Sequence, residues 1–189
     1  MQQPSIKGAA FFGTVARLQA CLESEQVTEE QVELRLEAQD LRFLDEKIEP
    51  SLWYPIASAG RIDELVVELS GREREEFFVA CGLEEVNSVF SRGIFETLIE
   101  GARKMEARAP EALTHLASLG FNFGRWTCEE VSPTKLIVQG QEVAPLPESI
   151  RYTVQGIILG LARKLRGVGD EISSQRLRPD VITYRILPR

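Results

Sequence analysis

Two hydrophobic periods run along this chain, and the switch between them divides it. Up to about residue 120 the apolar residues recur every three to four positions, the spacing of a helix face. From Phe121 onward they alternate, the spacing of a half-buried strand. In the first part, Ile6 to Phe12 reads either as a short strand or as the start of a helix that Val15, Leu18 and Leu22 continue. Thr28 and Gln31 form a capping box, with Glu29 and Glu30 in the favourable first turn of a helix carrying Val32, Leu34 and Leu36. Leu41, Phe43, Leu44 and Ile48 predict a further short helical piece. Ile56 to Leu69 reads as helix, with Ile62, Leu65, Val66 and Leu69 on one side. Ser70 and Glu73 predict a second capping box, for a helix with Phe77, Phe78 and Cys81 inward and Gly82 as its stop. Leu83 to Phe90 adds two turns. Ile94 to Met105 predicts a strongly amphipathic helix, and Pro110 to Gly120 another with Leu113, Leu116 and Ala117 inward.

The second part predicts strands at Phe123–Val131, Lys135–Gln139, Glu171–Leu177 and Val181–Leu187. The first two are joined by the turn Ser132-Pro133-Thr134, the last two by Arg178-Pro179-Asp180. Between the hairpins lies the helix around which the chain is organised, Leu146 to Gly167. Ile150, Val154, Ile157, Ile158, Leu161 and Leu165 form its apolar face, and Arg151, Gln155, Lys164 and Arg166 its polar side. On the last strand, Ile182, Tyr184 and Ile186 should face this helix. The fold class is therefore α+β: a helical N-terminal layer (residues 1–120) followed by a β-β-α-β-β unit (residues 121–189) with a four-stranded antiparallel sheet, in one domain of 189 residues.

The charge is acidic and unevenly spread. The net charge is −7, which argues against a general nucleic-acid binder. Residues 1–149 carry a balance of −12 and residues 150–189 one of +5. This reads as an acidic solvated helical half against a mildly basic sheet, or as room for an anionic ligand or acidic partner on the C-terminal half. Cys21, Cys81 and Cys128 are widely spaced, with no CxxC, as expected of reduced thiols in a cytoplasmic protein. They share no metal-ligand spacing with the lone histidine, His115. No signal peptide and no apolar run of about 20 residues is present, so membrane insertion is not expected.

Seven residues stand out as binding or interface candidates. Trp53 and Tyr54, bracketed by Pro50 and Pro55, either lock the start of the following helix or anchor an interface or pocket. His115 is a core-edge helix histidine, a haem ligand, a contact to another ligand or a pH-responsive group. Gly156 and Gly160 make a GxxxG on the central helix, compensated by close packing or left as a floor for a ligand or a second copy. Trp126 on the first strand and Arg151 on the central helix complete the set. No Ser-His-Asp pattern, nucleophile elbow or phosphate loop occurs, so an enzyme is not expected.

Four short stretches carry a family resemblance: Ile6-Lys7-Gly8, Leu52-Trp53-Tyr54-Pro55, Gly124-Arg125-Trp126 and the helix from Ser149 to Leu161. With the helical-then-ββαββ layout, they resemble an uncharacterised paralogous family of myxobacteria. It falls in the superfamily of four-vinyl-reductase, haem nitric oxide/oxygen-binding and TRAPP small-subunit domains. The resemblance implies a ligand-sensing or protein-docking module, often dimeric. Haem-binding members use a helix-borne histidine with a Tyr-x-Ser-x-Arg motif, and four-vinyl-reductase sensors often place zinc-binding cysteines near the last hairpin. This chain has neither the motif nor those cysteines, so no cofactor is expected. The reading reached is a non-enzymatic cytoplasmic protein-interaction or scaffold module that forms a homodimer. The alternative is a sensor of a small apolar or lipid-like ligand held between helices and sheet.

Overall fold

The computed structural model describes residues 2–91, 109–132, 135–166 and 171–187. The expected helix over Ile94–Met105, the tip of the first hairpin and the stop at Gly167 lie outside these residues, as do the side chains of Leu116, Leu165 and Arg166. The N-terminal stretch is both strand and helix: β1 (Ser5–Lys7) runs straight into α1 (Gly8–Glu23). Then come α2 (Glu29–Arg35), α3 (Ala38–Asp45), β2 (Trp53–Pro55), α4 (Ile56–Ser70), α5 (Arg74–Ser91) and α6 (Ala109–Gly120). The second part is β3 (Arg125–Ser132), β4 (Lys135–Gln141), α7 (Glu148–Arg166), β5 (Glu171–Arg178) and β6 (Val181–Leu187). The fold is α+β, with seven helices among the described residues and a four-stranded antiparallel sheet ordered β3-β4-β6-β5.

The Thr28–Gln31 capping box forms as the sequence predicts: Gln31 N–H donates to Thr28 Oγ1, and Thr28 N–H to Gln31 Oε1. The one expected at Ser70 does not. Ser70 ends α4 and Gly71 closes it at φ +63°, while Glu73 accepts from Glu76 N–H at the start of α5. Nor does Gly82 stop a helix, because α5 runs through it. The reason is tertiary. Gly82 is where α7 crosses, and glycine is kept there for closeness rather than for a turn.

One sheet face carries Trp126 and Cys128, Leu136 and Val138, Ile182, Tyr184 and Ile186, set side by side by the register. Ile182, Tyr184 and Ile186 are wholly buried, as their alternation predicts. On β5 the same face turns polar, with Ser174 beside Tyr184 and Arg176 beside Ile182. This polar strip alters the expected polar side of α7. Arg151 and Gln155 are buried, not solvated. Arg151 donates to the Ser174 carbonyl (3.1 Å) and its hydroxyl, while Gln155 accepts from that hydroxyl and donates to Glu75 on α5 (3.0 Å). Lys164 alone of the described polar set is exposed.

Candidate functional site

Where the helical layer meets the β-β-α-β-β unit, the structure leaves an internal cavity of about 120 Å³. Each helix wall follows helical spacing. Ala10, Thr14 and Arg17 come from α1, Leu113, Ala117 and Gly120 from α6, and Ile150, Val154, Ile157, Ile158 and Leu161 from α7. Ile6, Phe121, Trp126 and Val138 close the remaining sides. Side-chain size explains why space remains. Ala10, Ala117 and Gly120 stand at positions where larger residues on the same faces would fill it. Trp126 is held as a wall by Phe121, stacked at 5.8 Å between ring centroids, and by Tyr184 at 6.4 Å. Gly140 on β4 makes room for it, since a methyl there would lie 3.0 Å from the indole ring.

One end of the cavity is charged. Arg17 reaches from α1 to Asp63 on α4 (2.9 Å), Glu85 on α5 (3.3 Å) and Thr14 (3.2 Å). Asp63 is fully buried, and its Oδ2 and Arg17 Nε find no hydrogen bond among the described residues. Burial raises the Asp63 carboxyl above its ordinary range against the pull of Arg17. Burial likewise pushes Glu85 up to about 7, opposed by Arg17, and the nearby Cys81 thiol up to about 11. Two carboxyl groups thus share one guanidinium, and Glu85 is the one poised to take or release a proton near neutrality.

The seven sequence candidates disperse. Trp126 alone lines the cavity. Tyr54 is core, stacked on Phe11 at 4.8 Å, and its oxygen accepts from Glu49 N–H. Trp53 is partly exposed, with the Lys7 ammonium 4.0 Å above its ring. Gly156 and Gly160 are buried against α5, at Val79–Gly82 and Val86 respectively, so their face is not open to a second copy. Arg151 binds α7 to β5 and pairs with Glu148 (2.7 Å). His115 is exposed, on the side of α6 away from Leu113 and Ala117. Arg17, Asp63 and Glu85 were not among the candidates. The signal available was a charged residue set in an apolar stripe: Arg17 beside Thr14 and Leu18, Asp63 beside Ile62 and Val66.

Solved structures with this architecture exist. The H-NOX protein from K. algicida in its Fe(II) unliganded form superposes with a TM-score of 0.64, covering 97% of each chain at 11% identity. A mutant Cs H-NOX gives 0.62 over 97% of each chain at 18% identity. An oxygen-binding H-NOX domain related to soluble guanylate cyclases, in its oxygen complex, gives 0.57 over 97% of this chain and 95% of that one at 15% identity. The fold is H-NOX-like. No protein-family model matches the chain, and no curated protein matches it.

The H-NOX-like fold raises the question of haem, and the residues here do not fit one. The chain's single histidine is the outward-facing His115. The propionate-gripping Tyr-x-Ser-x-Arg is absent from the sequence. A cavity of about 120 Å³ also falls short of the roughly 300–1,000 Å³ of pockets for larger organic ligands. Among the described residues no group of three or more His, Cys, Asp or Glu could hold a metal ion, and no helix is long and apolar enough to cross a membrane.

Proposed function

We propose that this chain is a small-molecule sensor domain that takes a small apolar ligand, without haem, into the cavity between its two layers. The observation that carries the reading is an apolar internal space whose walls come from both layers. Apolar cavities of roughly 150 Å³ stay dry and bind benzene or xenon. A ligand of that size would fill this one and tie α1 and α6 to the sheet. It would stabilise the folded protein in proportion to its occupancy. The H-NOX-like fold supports a sensor over a scaffold, since the similar structures include oxygen-binding domains. The reading makes the protein non-enzymatic and cytoplasmic, and the short sequence motifs favour the myxobacterial paralogous family. Toluene titrated into isotope-labelled protein should shift the resonances of Ala117, Val154 and Leu161, and Ala117→Leu should abolish the shifts. Unchanged spectra at saturating toluene would defeat the reading.

A second reading, self-association or docking to a protein partner, draws on Leu52 and Trp53, adjacent aromatic and aliphatic side chains exposed at 55% and 39%. An apolar contact there would persist in high salt. Sedimentation at micromolar concentration separates a salt-resistant dimer from a monomer.

A further inference from the structure

The cavity is not uniformly apolar, and the polar atoms at its margin have a definite hydrogen-bonding character. Thr14 accepts from Arg17 and also interacts with Asp63, so its hydroxyl is occupied. Thr153 donates its hydroxyl proton to the Ser149 carbonyl (3.1 Å), leaving its oxygen only as an acceptor. Glu85 Oε1 accepts from Arg17. Among the described residues its Oε2 has no hydrogen bond, and the side chain keeps 23% of its exposure while bordering the cavity. Two donors on cavity-lining residues, Arg17 Nε and Trp126 Nε1, are buried with no hydrogen bond among the described residues. A ligand group that both donates, to Glu85, and accepts matches the two sets together.

Charge narrows the choice further. A cationic amine would lose its hydration in a space lined almost wholly by apolar side chains, and an anionic acid would add a third carboxylate to the two already around Arg17. A neutral hydroxyl carries a donor without either penalty. The volume admits a body of about one benzene ring. We infer that the cavity selects small neutral alcohols of the phenol class, with the ring among Leu113, Val154 and Leu161 and the hydroxyl donated to Glu85. This deepens the sensor reading and rests on it. Glu85 faces Arg17 from α1 and Asp63 from α4, with Cys81 on its own helix, and none of these supplies the missing donor to Oε2.

The test compares two molecules of nearly the same shape, phenol and toluene, titrated into the intact chain at pH 8 and followed by resonance shifts of the cavity residues. A site built around a hydroxyl rejects the analogue that lacks one. Phenol should bind at least about tenfold more tightly than toluene, the scale of one hydrogen bond to a charged group. Glu85→Gln should erase most of that preference while toluene affinity stays within about twofold of the unmodified chain. Lowering the pH to 5.5, which protonates Glu85, gives a second measurement that needs no variant and should also narrow the preference. Equal binding of phenol and toluene would overturn this inference and leave the apolar sensor standing. A phenol preference that survives both Glu85→Gln and pH 5.5 would also overturn it. Binding of neither molecule would remove the sensor reading itself.

Discussion

Gly82 of α5 and Gly156 of α7 meet backbone to backbone. A methyl group on Gly82 would lie 2.1 Å from the Thr153 carbonyl oxygen, and one on Gly156 2.1 Å from that of Val79. Helix propensity alone favours alanine at both places by about 1 kcal/mol. Overpacking opposes this, and backbone cannot move aside as a side chain can. Gly156→Ala and Gly82→Ala should each destabilise the protein by about 1–3 kcal/mol or more in denaturant titration. Gly160→Ala should cost less, because its new methyl would meet only the Val86 side chain at 3.1 Å. Equal effects at all three positions would contradict the crossing geometry.

Leu161 is buried and lines the cavity, whereas its neighbour on the same face, Ile157, is only partly buried. Leu161→Ala should cost about 2–5 kcal/mol. It should also enlarge the cavity, so toluene or xenon should restore part of the loss. A loss below about 0.5 kcal/mol would mean that α7 is peripheral.

Glu148 receives Arg151 and Arg176, each at 2.7 Å. Burial would raise its pKa, but these two hydrogen bonds outweigh burial and hold it below the ordinary carboxylate value of 4.5. Asp40, gripped by Arg61 at 2.6 Å, is shifted the same way, its burial likewise outweighed. A lowered folded-state pKa gives stability that is present above the unfolded pKa and lost as pH falls through the folded one. Acid should therefore unfold the protein progressively below about pH 4. Glu148→Gln should flatten that limb and cost about 1 kcal/mol at pH 7, since the pair is partly exposed and screened.

Glu85 gives the opposite slope. Its folded pKa is raised from 4.5 to about 7, so the native state holds the proton more tightly. Stability should fall as pH rises from about 4.5 to about 7. Together the two limbs place the stability maximum on the acid side of neutrality. Thermal melts across pH 4–8 check this, and Glu85→Gln should remove the decline between pH 5 and 7.

Haemin added to the folded protein should produce no stoichiometric Soret band, because His115 faces solvent and no second histidine exists. A band that appeared and vanished in His115→Ala would reverse the assignment.

The two-period pattern made the layer order and all four strands legible, since Ile182, Tyr184 and Ile186 can be buried together in only one register. Local signals failed where a distant element decided the outcome. Gly82 looks like a stop until α7 is laid across it. Gln155 looks solvated until Ser174 arrives from β5. The site was harder still. Trp126 is conspicuous in sequence, but Arg17, Asp63 and Glu85 lie on three helices, separated by 46 and 68 positions from Arg17. No local period brings such residues together, and a cavity is a property of what side chains leave unfilled.

The first strand has a timetable as well as a place. Ser5 N–H donates to Asn122 Oδ1 across 117 residues, Asn122 N–H returns to the Ser5 carbonyl, and Ile6 bridges Phe121. Strand β2 gives β1 an early partner, through the pairing of Ile6 with Tyr54. On the ribosome, Asn122 follows Ser5 only on the order of ten seconds later. Until then the wall that Ile6 and Phe121 jointly form has one side missing. The cavity is thus among the last parts of the molecule to close, and a nascent chain cannot enclose it before the sheet part begins to emerge.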